Sequence, residues 1–300
     1  MNNIIIIDGN NYCYRAWYKF INLKSKKGEG SGIIYGVPLM IGSLLKTWKA
    51  NKVYFVIDGK RNLNRLSVLP GYKEGRKKYN WDADEFHKQK DITVDLLHNA
   101  LGITVIHNKD QEADDMMYKL VRKHKDDNVM LCSSDKDFNQ LISDKVSIWN
   151  HNLDSKRGVK LTPLNAKEWI GYEPNQCVDY LTFIGDSSDK IPGVSGIGEV
   201  GARNFLDKYN SIKNYLKNCE EDKKYKKDIL AEVYKVSRYM IDLKFFHRKH
   251  LRRVTPMEAF KIESKVDYIK LKEIGIKYNI NQFIIGNFIK PFENYKDNEQ

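Results

Sequence analysis

Ile4-Ile5-Ile6-Ile7-Asp8 is a run of four branched apolar residues closed by a carboxylate. An apolar run without polar alternation is the pattern of a parallel strand buried on both faces, here with Asp8 at its carboxyl end. Val53-Tyr54-Phe55-Val56-Ile57-Asp58 repeats the device, and Val129-Met130-Leu131-Cys132 leads into Ser133-Ser134-Asp135-Lys136-Asp137. A further apolar run, Ile103-Thr104-Val105-Ile106, precedes Glu112-Ala113-Asp114-Asp115, after which Met117, Leu120 and Val121 recur at helical spacing. A second helical stripe (Val37, Met40, Ile41, Leu44, Leu45, Trp48) and a helix over 84–101 separate the strands. This alternation predicts an α/β class with a mostly parallel sheet covered by helices, and ligand sites of such sheets lie at the carboxyl edge.

The tetrad Glu112-Ala113-Asp114-Asp115 has two readings. Acids in a first helical turn offset the macrodipole by about 0.3–1 kcal/mol each. Carboxylates about 4 Å apart repel by roughly 4 kcal/mol at an effective dielectric of 20, so crowding them also suits a cation. The recurrence of acids at other strand ends favours the cation.

The chain has 51 basic and 39 acidic side chains, a net charge of +12, over 300 residues. A basic surface attracts polyanions, whereas an acid cluster repels them unless divalent ions intervene, which points to nucleic acid with Mg²⁺ or Mn²⁺. Ordinary solubility charge is the alternative explanation of the excess. Cys13, Cys132, Cys177 and Cys219 are widely spaced, the pattern of reduced buried thiols rather than zinc ligands or disulfides. No targeting or membrane segment is apparent, so a cytoplasmic protein without membrane partners is expected.

Residues 60–82 interleave Lys60, Arg61, Arg65, Lys73, Arg76, Lys77 and Lys78 with Tyr72, Tyr79 and Trp81. They read either as a solvated charged loop or as an element gripping phosphates and stacking bases. A strand and hairpin are expected over 147–161, then helices near 163–170 and 174–185. Gly196, Gly198 and Gly201 match a dinucleotide fingerprint by letters, but a polar acidic turn and Pro192 precede them instead of a strand. A glycine hairpin between two helices fits better, with Gly193, Gly196 and Gly198 leaving N–H groups free for a backbone phosphate; a plain helix–helix turn is the alternative. The lysine-rich part from 211 on suggests helices near 226–246 and 265–275.

Asp8, Asp58, Glu112, Asp114, Asp115, Asp135, Asp137, Asp186 and Asp189 therefore form one candidate set. All-carboxylate ligation favours Mg²⁺ or Mn²⁺ over zinc, and two such ions about 4 Å apart suit phosphodiester hydrolysis. An aspartyl-phosphate phosphatase would need a second Asp where Asn10 stands.

Asp8-Gly9-Asn10-Asn11-Tyr12-Cys13-Tyr14-Arg15-Ala16, Tyr72-Lys73-x-x-Arg76, the tetrad, Ser134-Asp135-Lys136-Asp137 and the run Gly185 to Val194 occur in family order. Over residues 4–210 the chain resembles the 5′-nuclease (flap endonuclease) superfamily, including the 5′-3′ exonuclease domain of bacterial DNA polymerase I and free-standing phage exonucleases. The resemblance implies a PIN-like nuclease domain over 1–162 with helices on both faces of its sheet and an arch at about 60–90. It also implies a helical DNA-binding domain over 163–300, with a helix–three-turn–helix at about 176–210. It implies two Mg²⁺ ions (Mn²⁺ substituting) on the nine acids, with Asp135 central to catalysis, and leaves room for K⁺ at the helix–three-turn–helix. Lys73 and Arg76 would contact the scissile phosphate and Arg15 a neighbouring one. Tyr14 and Tyr72 would stack bases, with Arg65 and Arg203 among the DNA-binding cations. The implied activity is hydrolysis of DNA bearing a 5′ flap, nick or single-strand/double-strand junction, by a monomer acting in primer removal or repair, with RNA–DNA hybrids a further substrate. Lys190 and Val200 depart from the common Asn and Lys of the family. A PIN-type ribonuclease and a non-catalytic junction-binding protein are the alternatives.

Overall fold

A computed structural model describes residues 1–74, 82–154, 157–251, 258–259, 266–283 and 286–295. Its first half alternates β1 (Asn3–Asp8), α1 (Gly9–Lys19), α2 (Gly32–Thr47), β2 (Lys52–Ile57), α3 (Leu63–Val68), α4 (Ala83–Asn99), β3 (Thr104–His107), α5 (Ala113–Lys123) and β4 (Asn128–Cys132). A 3-10 turn (Lys136–Leu141) leads to the hairpin of β5 (Val146–Asn150) and β6 (Val159–Leu161). Helices follow: α6 (Ala166–Ile170), α7 (Cys177–Ile184), α8 (Glu199–Tyr209), α9 (Ile212–Asn218), α10 (Lys227–Ile241) and α11 (Leu243–Phe246). A short β7 (Glu258–Ala259), α12 (Tyr268–Tyr278) and α13 (Gly286–Glu293) complete the described chain.

The strands form one sheet in the order β6-β5-β4-β1-β2-β3-β7. The five central strands are parallel, and only β6 and β7 at the edges run antiparallel. Each parallel strand sends alternate side chains to opposite faces, so the isoleucine run divides in two. Ile5 and Ile7 join Val53, Phe55 and Met130 in a core with α1, α2 and α4, whereas Ile4 and Ile6 join Tyr54, Val56 and Leu131 under α5. Because the strands run the same way, Asp8, Asp58 and the segments carrying Asp114 and Asp135 all reach one edge.

Helix α2 begins at Gly32, five residues before the apolar stripe suggests, and carries Pro38, which cannot donate to Ile34. A third core, containing Cys177, Phe183, Phe205 and Tyr215, lies among α7 to α10. The expected second domain over 163–300 is corrected at its far end. β7 pairs with β3, and Leu271, Tyr278, Phe283, Ile289 and Tyr295 are buried in the first core. The Tyr295 hydroxyl accepts from the Val53 N–H at 2.8 Å, and the Asp267 N–H donates to the Ala100 carbonyl at 3.0 Å. Among the described residues no helix is long and apolar enough to cross a membrane.

Candidate active site

Strand ends become helix starts here. Asp8 caps α1, accepting from the Asn11 N–H at 3.0 Å, and its other oxygen accepts from the Ser133 hydroxyl at 2.8 Å. Asp58 accepts from the Ala113 N–H at 2.7 Å at the start of α5 and from the Asn10 amide. Asp135 caps the 3-10 turn, accepting from the Asp137 N–H at 2.9 Å, while its own N–H donates to Ser133 Oγ. Ser133, Asn10 and Asn11 are site residues that charge-based reading passed over; their signal was adjacency to strand-end acids.

A cavity of about 450 Å³ opens at this edge. Asp114, Asp135 and Asp137 line it from the sheet side, Asp186 and Asp189 from the loop after α7, and Tyr72 and Lys73 from the segment after α3. Asp8 and Asp58 are set back from it but remain within electrostatic reach of Asp114 and Asp135. Burial pushes the Asp8 carboxyl up to about 7, against the bonds from Asn11 and Ser133. Burial, then Asp135, raises Asp114 well above the ordinary range, and burial, then Asp135, Asp186 and Asp189, does the same to Asp137. Asp135 opens to the cavity, yet the surrounding protein and then the Asp189 and Asp186 charges push its carboxyl up. Asp186 organises its own loop, accepting from the Ser188 N–H and hydroxyl at 2.8 and 2.7 Å.

Glu112 and Asp115 are placed differently. Arg65 donates to Glu112 at 2.8 Å and to both Asp115 oxygens at 2.7 and 2.8 Å, and all three side chains are at most 3% exposed. Neither acid lines the cavity. Burial alone would raise the Glu112 carboxyl, but Arg65, Lys73 and the Tyr72 hydroxyl together hold it low. Burial pulls the Asp115 carboxyl up on balance, with the bidentate guanidinium opposing it.

Two expected DNA contacts are thereby corrected. Arg65 is no surface phosphate grip but a 2% exposed guanidinium between two acids, its Cζ 3.9 Å from the Phe246 ring centroid. Tyr72 is 3% exposed and donates to Glu112 at 3.0 Å, so its ring is packed rather than presented for stacking. Lys73, with φ +56°, stands 3.4 Å from Glu112, its N–H donating to the Asp189 carbonyl at 3.2 Å. Burial lowers its ammonium pKa, but Glu112, Asp114 and Asp189 outweigh this and raise it. Arg76, Tyr79 and Trp81 lie outside the described residues, and the described far side of the expected arch is α4, anchored by buried Phe86. Tyr14 stacks on that Phe86 ring at 4.8 Å, and Arg15 is half-buried.

The glycine hairpin lies between α7 and α8. Gly193 packs so closely that a Cβ would meet the Phe183 carbonyl at 2.6 Å, Gly196 has φ +78°, and Gly198 caps α8 facing open space. Arg203 pairs with Glu199 at 3.0 Å along α8.

The acids that ring the cavity suit hard cations. Among the described residues no three His, Cys, Asp or Glu side chains already converge on one ion position. However, five carboxylates face one cavity whose lining holds three cations, of which Lys73 and Arg65 are engaged with Glu112 and Asp115 and Lys136 is exposed. An all-oxygen donor set in which burial and neighbouring acids push Asp114, Asp135 and Asp137 up fits a hard divalent cation.

A family model described as 5′-3′ exonuclease, N-terminal resolvase-like domain, matches residues 3–170. The chain belongs to the 5′-3′ exonuclease family. The family's C-terminal SAM fold matches residues 172–248. A 5′-3′ exonuclease of Aquifex aeolicus is 30% identical over 280 residues, covering 91% of this chain and 94% of that one. A DNA polymerase I of Mycobacterium bovis is 31% identical over 221 residues, 72% of this chain but 24% of the relative. Among solved structures, a bacteriophage T5 5′-exonuclease with divalent zinc bound superposes with a TM-score of 0.67 at 21% identity, covering 97% and 98% of the two chains. The T5 flap endonuclease in a pseudo-enzyme-product complex with DNA and metal ions gives 0.67 at 20% identity, covering 97% of each chain. These two likenesses establish the shared PIN-like fold with its helical second layer.

Proposed function

We propose that this member of the family is a structure-specific 5′ nuclease. It hydrolyses phosphodiester bonds of DNA as a 5′-3′ exonuclease and 5′-flap endonuclease, at flaps, nicks and single-strand/double-strand junctions, in primer removal or repair. The observation that carries the reading is the ring of Asp114, Asp135, Asp137, Asp186 and Asp189 around one cavity at the sheet's carboxyl edge.

The acids fall into two overlapping groups by mutual influence. Asp58 and Asp135 bear on Asp8, and with Asp8 on Asp114, whereas Asp186 and Asp189 bear on Asp135, and with Asp135 on Asp137. Each group would hold one divalent ion, with Asp135 common to both. When bound, two such ions offset the acids, draw in the phosphate and supply an acidic water at neutral pH. Lys73 reaches the same cavity and would donate to a non-bridging phosphate oxygen, where charge grows in the transition state. The hairpin would hold duplex through the N–H groups from Gly196 to the start of α8, with K⁺ a further occupant of that turn. The protein would act as a monomer.

Cleavage mapping of end-labelled flap, nicked, single-stranded and RNA–DNA hybrid substrates in Mg²⁺ tests this. Cuts clustered at the junction of flap and nicked DNA are expected. Equal cutting along single-stranded DNA would overturn the structure specificity, and cutting of RNA alone would replace the reading with a PIN-type ribonuclease.

A further inference from the structure

Resting on that two-cation reading, we propose that Arg65, Glu112 and Asp115 form a charge-balanced brace that positions Lys73, and that Glu112 and Asp115 hold no cation. Arg65 occupies both oxygens of Asp115 and one of Glu112. The same Glu112 oxygen accepts from Tyr72 at 3.0 Å and lies 3.4 Å from the Lys73 ammonium. The other Glu112 oxygen faces the Asn62 N–H at 3.4 Å. Two cations thus meet two acids in a site sealed from the cavity on the acid side. An ion ligated by Asp115 would have to displace a guanidinium that is itself buried, leaving that charge unpaired.

The brace reaches Lys73 through a short chain of contacts. Arg65 lies in α3, whose capping residue Asn62 is the one facing Glu112. The Leu69 N–H donates to the Arg65 carbonyl and the Tyr72 N–H to the Leu69 carbonyl, both at 2.9 Å. Lys73 follows in the left-handed region and is held on its far side by the Asp189 carbonyl. Fixing Arg65 on α5 therefore fixes where the next cation enters the acid ring. Phe246, stacked on the guanidinium, supplies an apolar wall for a replacement side chain.

This wall makes the proposal testable by removing the charges together. Asp115→Leu alone strands Arg65, whereas Arg65→Met with Asp115→Leu places a thioether against Phe246 and leaves no unpaired charge. Mn²⁺ binding to the metal-free chain, counted by electron paramagnetic resonance, should give the wild-type number of ions for the double variant and for the isosteric Asp115→Asn. Asp135→Asn should lose binding in the same assay. Single-turnover cleavage should fall about a hundredfold in Asp115→Leu and return to within about tenfold of wild type in the double variant. In a Lys73→Ala background the Asp115→Leu loss should shrink to below about threefold, because the residue it positions is gone. Loss of an ion from Asp115→Asn, or an undiminished loss in the Lys73→Ala background, would overturn the brace. If Asp135→Asn keeps every ion, the two-cation reading fails instead.

Discussion

Asp114 and Asp115 are neighbours in the first turn of one helix, yet their environments are opposite. Asp115 turns inward onto a guanidinium that takes both its oxygens. Asp114 turns to a cavity where its nearest influences beyond burial are another acid, Asp135, and the opposing Lys73. A buried acid with a fixed cation is finished within the protein, whereas one facing other acids lowers its energy only by taking a proton or binding an ion. The contrast separates structural acids from ligand-seeking ones more sharply than sequence proximity does.

The largest expected effect comes from the residue shared by both acid groups. Asp135→Asn should lower cleavage in Mg²⁺ by on the order of a thousandfold while duplex affinity holds, since removing a negative charge does not weaken attraction to a polyanion. Cleavage within tenfold of wild type would erase the distinction between Asp135 and the braced acids. Next comes Lys73, which touches both sides of the comparison. Lys73→Ala should cut single-turnover rate about a hundredfold but equilibrium binding far less; equal losses would make it a phosphate anchor only.

The hairpin at Gly196 to Gly198 offers a binding surface without these acids. If it holds phosphates alone, duplex affinity should fall by about tenfold or more between 50 and 200 mM salt and hardly vary with base sequence. A marked sequence preference at fixed salt would contradict that. The smallest effect concerns Asp179, a buried acid with no ion site. Burial pushes its carboxyl up to about 6, although the Ile212 N–H donates to it at 3.1 Å. The folded state thus holds a proton that the unfolded chain has released, so this group's contribution to stability is lost as pH rises from about 4 to 6. Asp179→Asn should remove that slope and change stability at pH 7 by at most about 3 kcal/mol, read from melting temperature against pH. An unchanged slope would mean that Asp179 does not carry it.

Much of this was legible in the chain itself. Strands buried on both faces must be continuous apolar runs, so Asp8 and Asp58 announced themselves as edge residues, and Asp114, Asp135 and Asp137 followed from the next strands. Arg65 was not legible, because it sits among cations that face solvent or phosphate by default. Its partners are 47 and 50 positions away, and only tertiary packing brings them together. The return of α12 and α13 to the first core was hidden for a related reason. Leu271, Tyr278 and Phe283 mark a buried face, but nothing local says which core receives it. The first turns of α2 are hidden in the sequence because Gly32, Gly36 and Pro38 argue against a helix locally, and burial against α1 and α4 overrides them.

Two divalent ions belong among the acids around the cavity and none at the braced ones. Anomalous diffraction from crystals soaked in Mn²⁺ tests this directly. Two peaks are expected, both in contact with Asp135, one shared with the Asp8, Asp58 and Asp114 group and one with Asp137, Asp186 and Asp189. A peak ligated by Glu112 or Asp115, with Arg65 displaced, would contradict it.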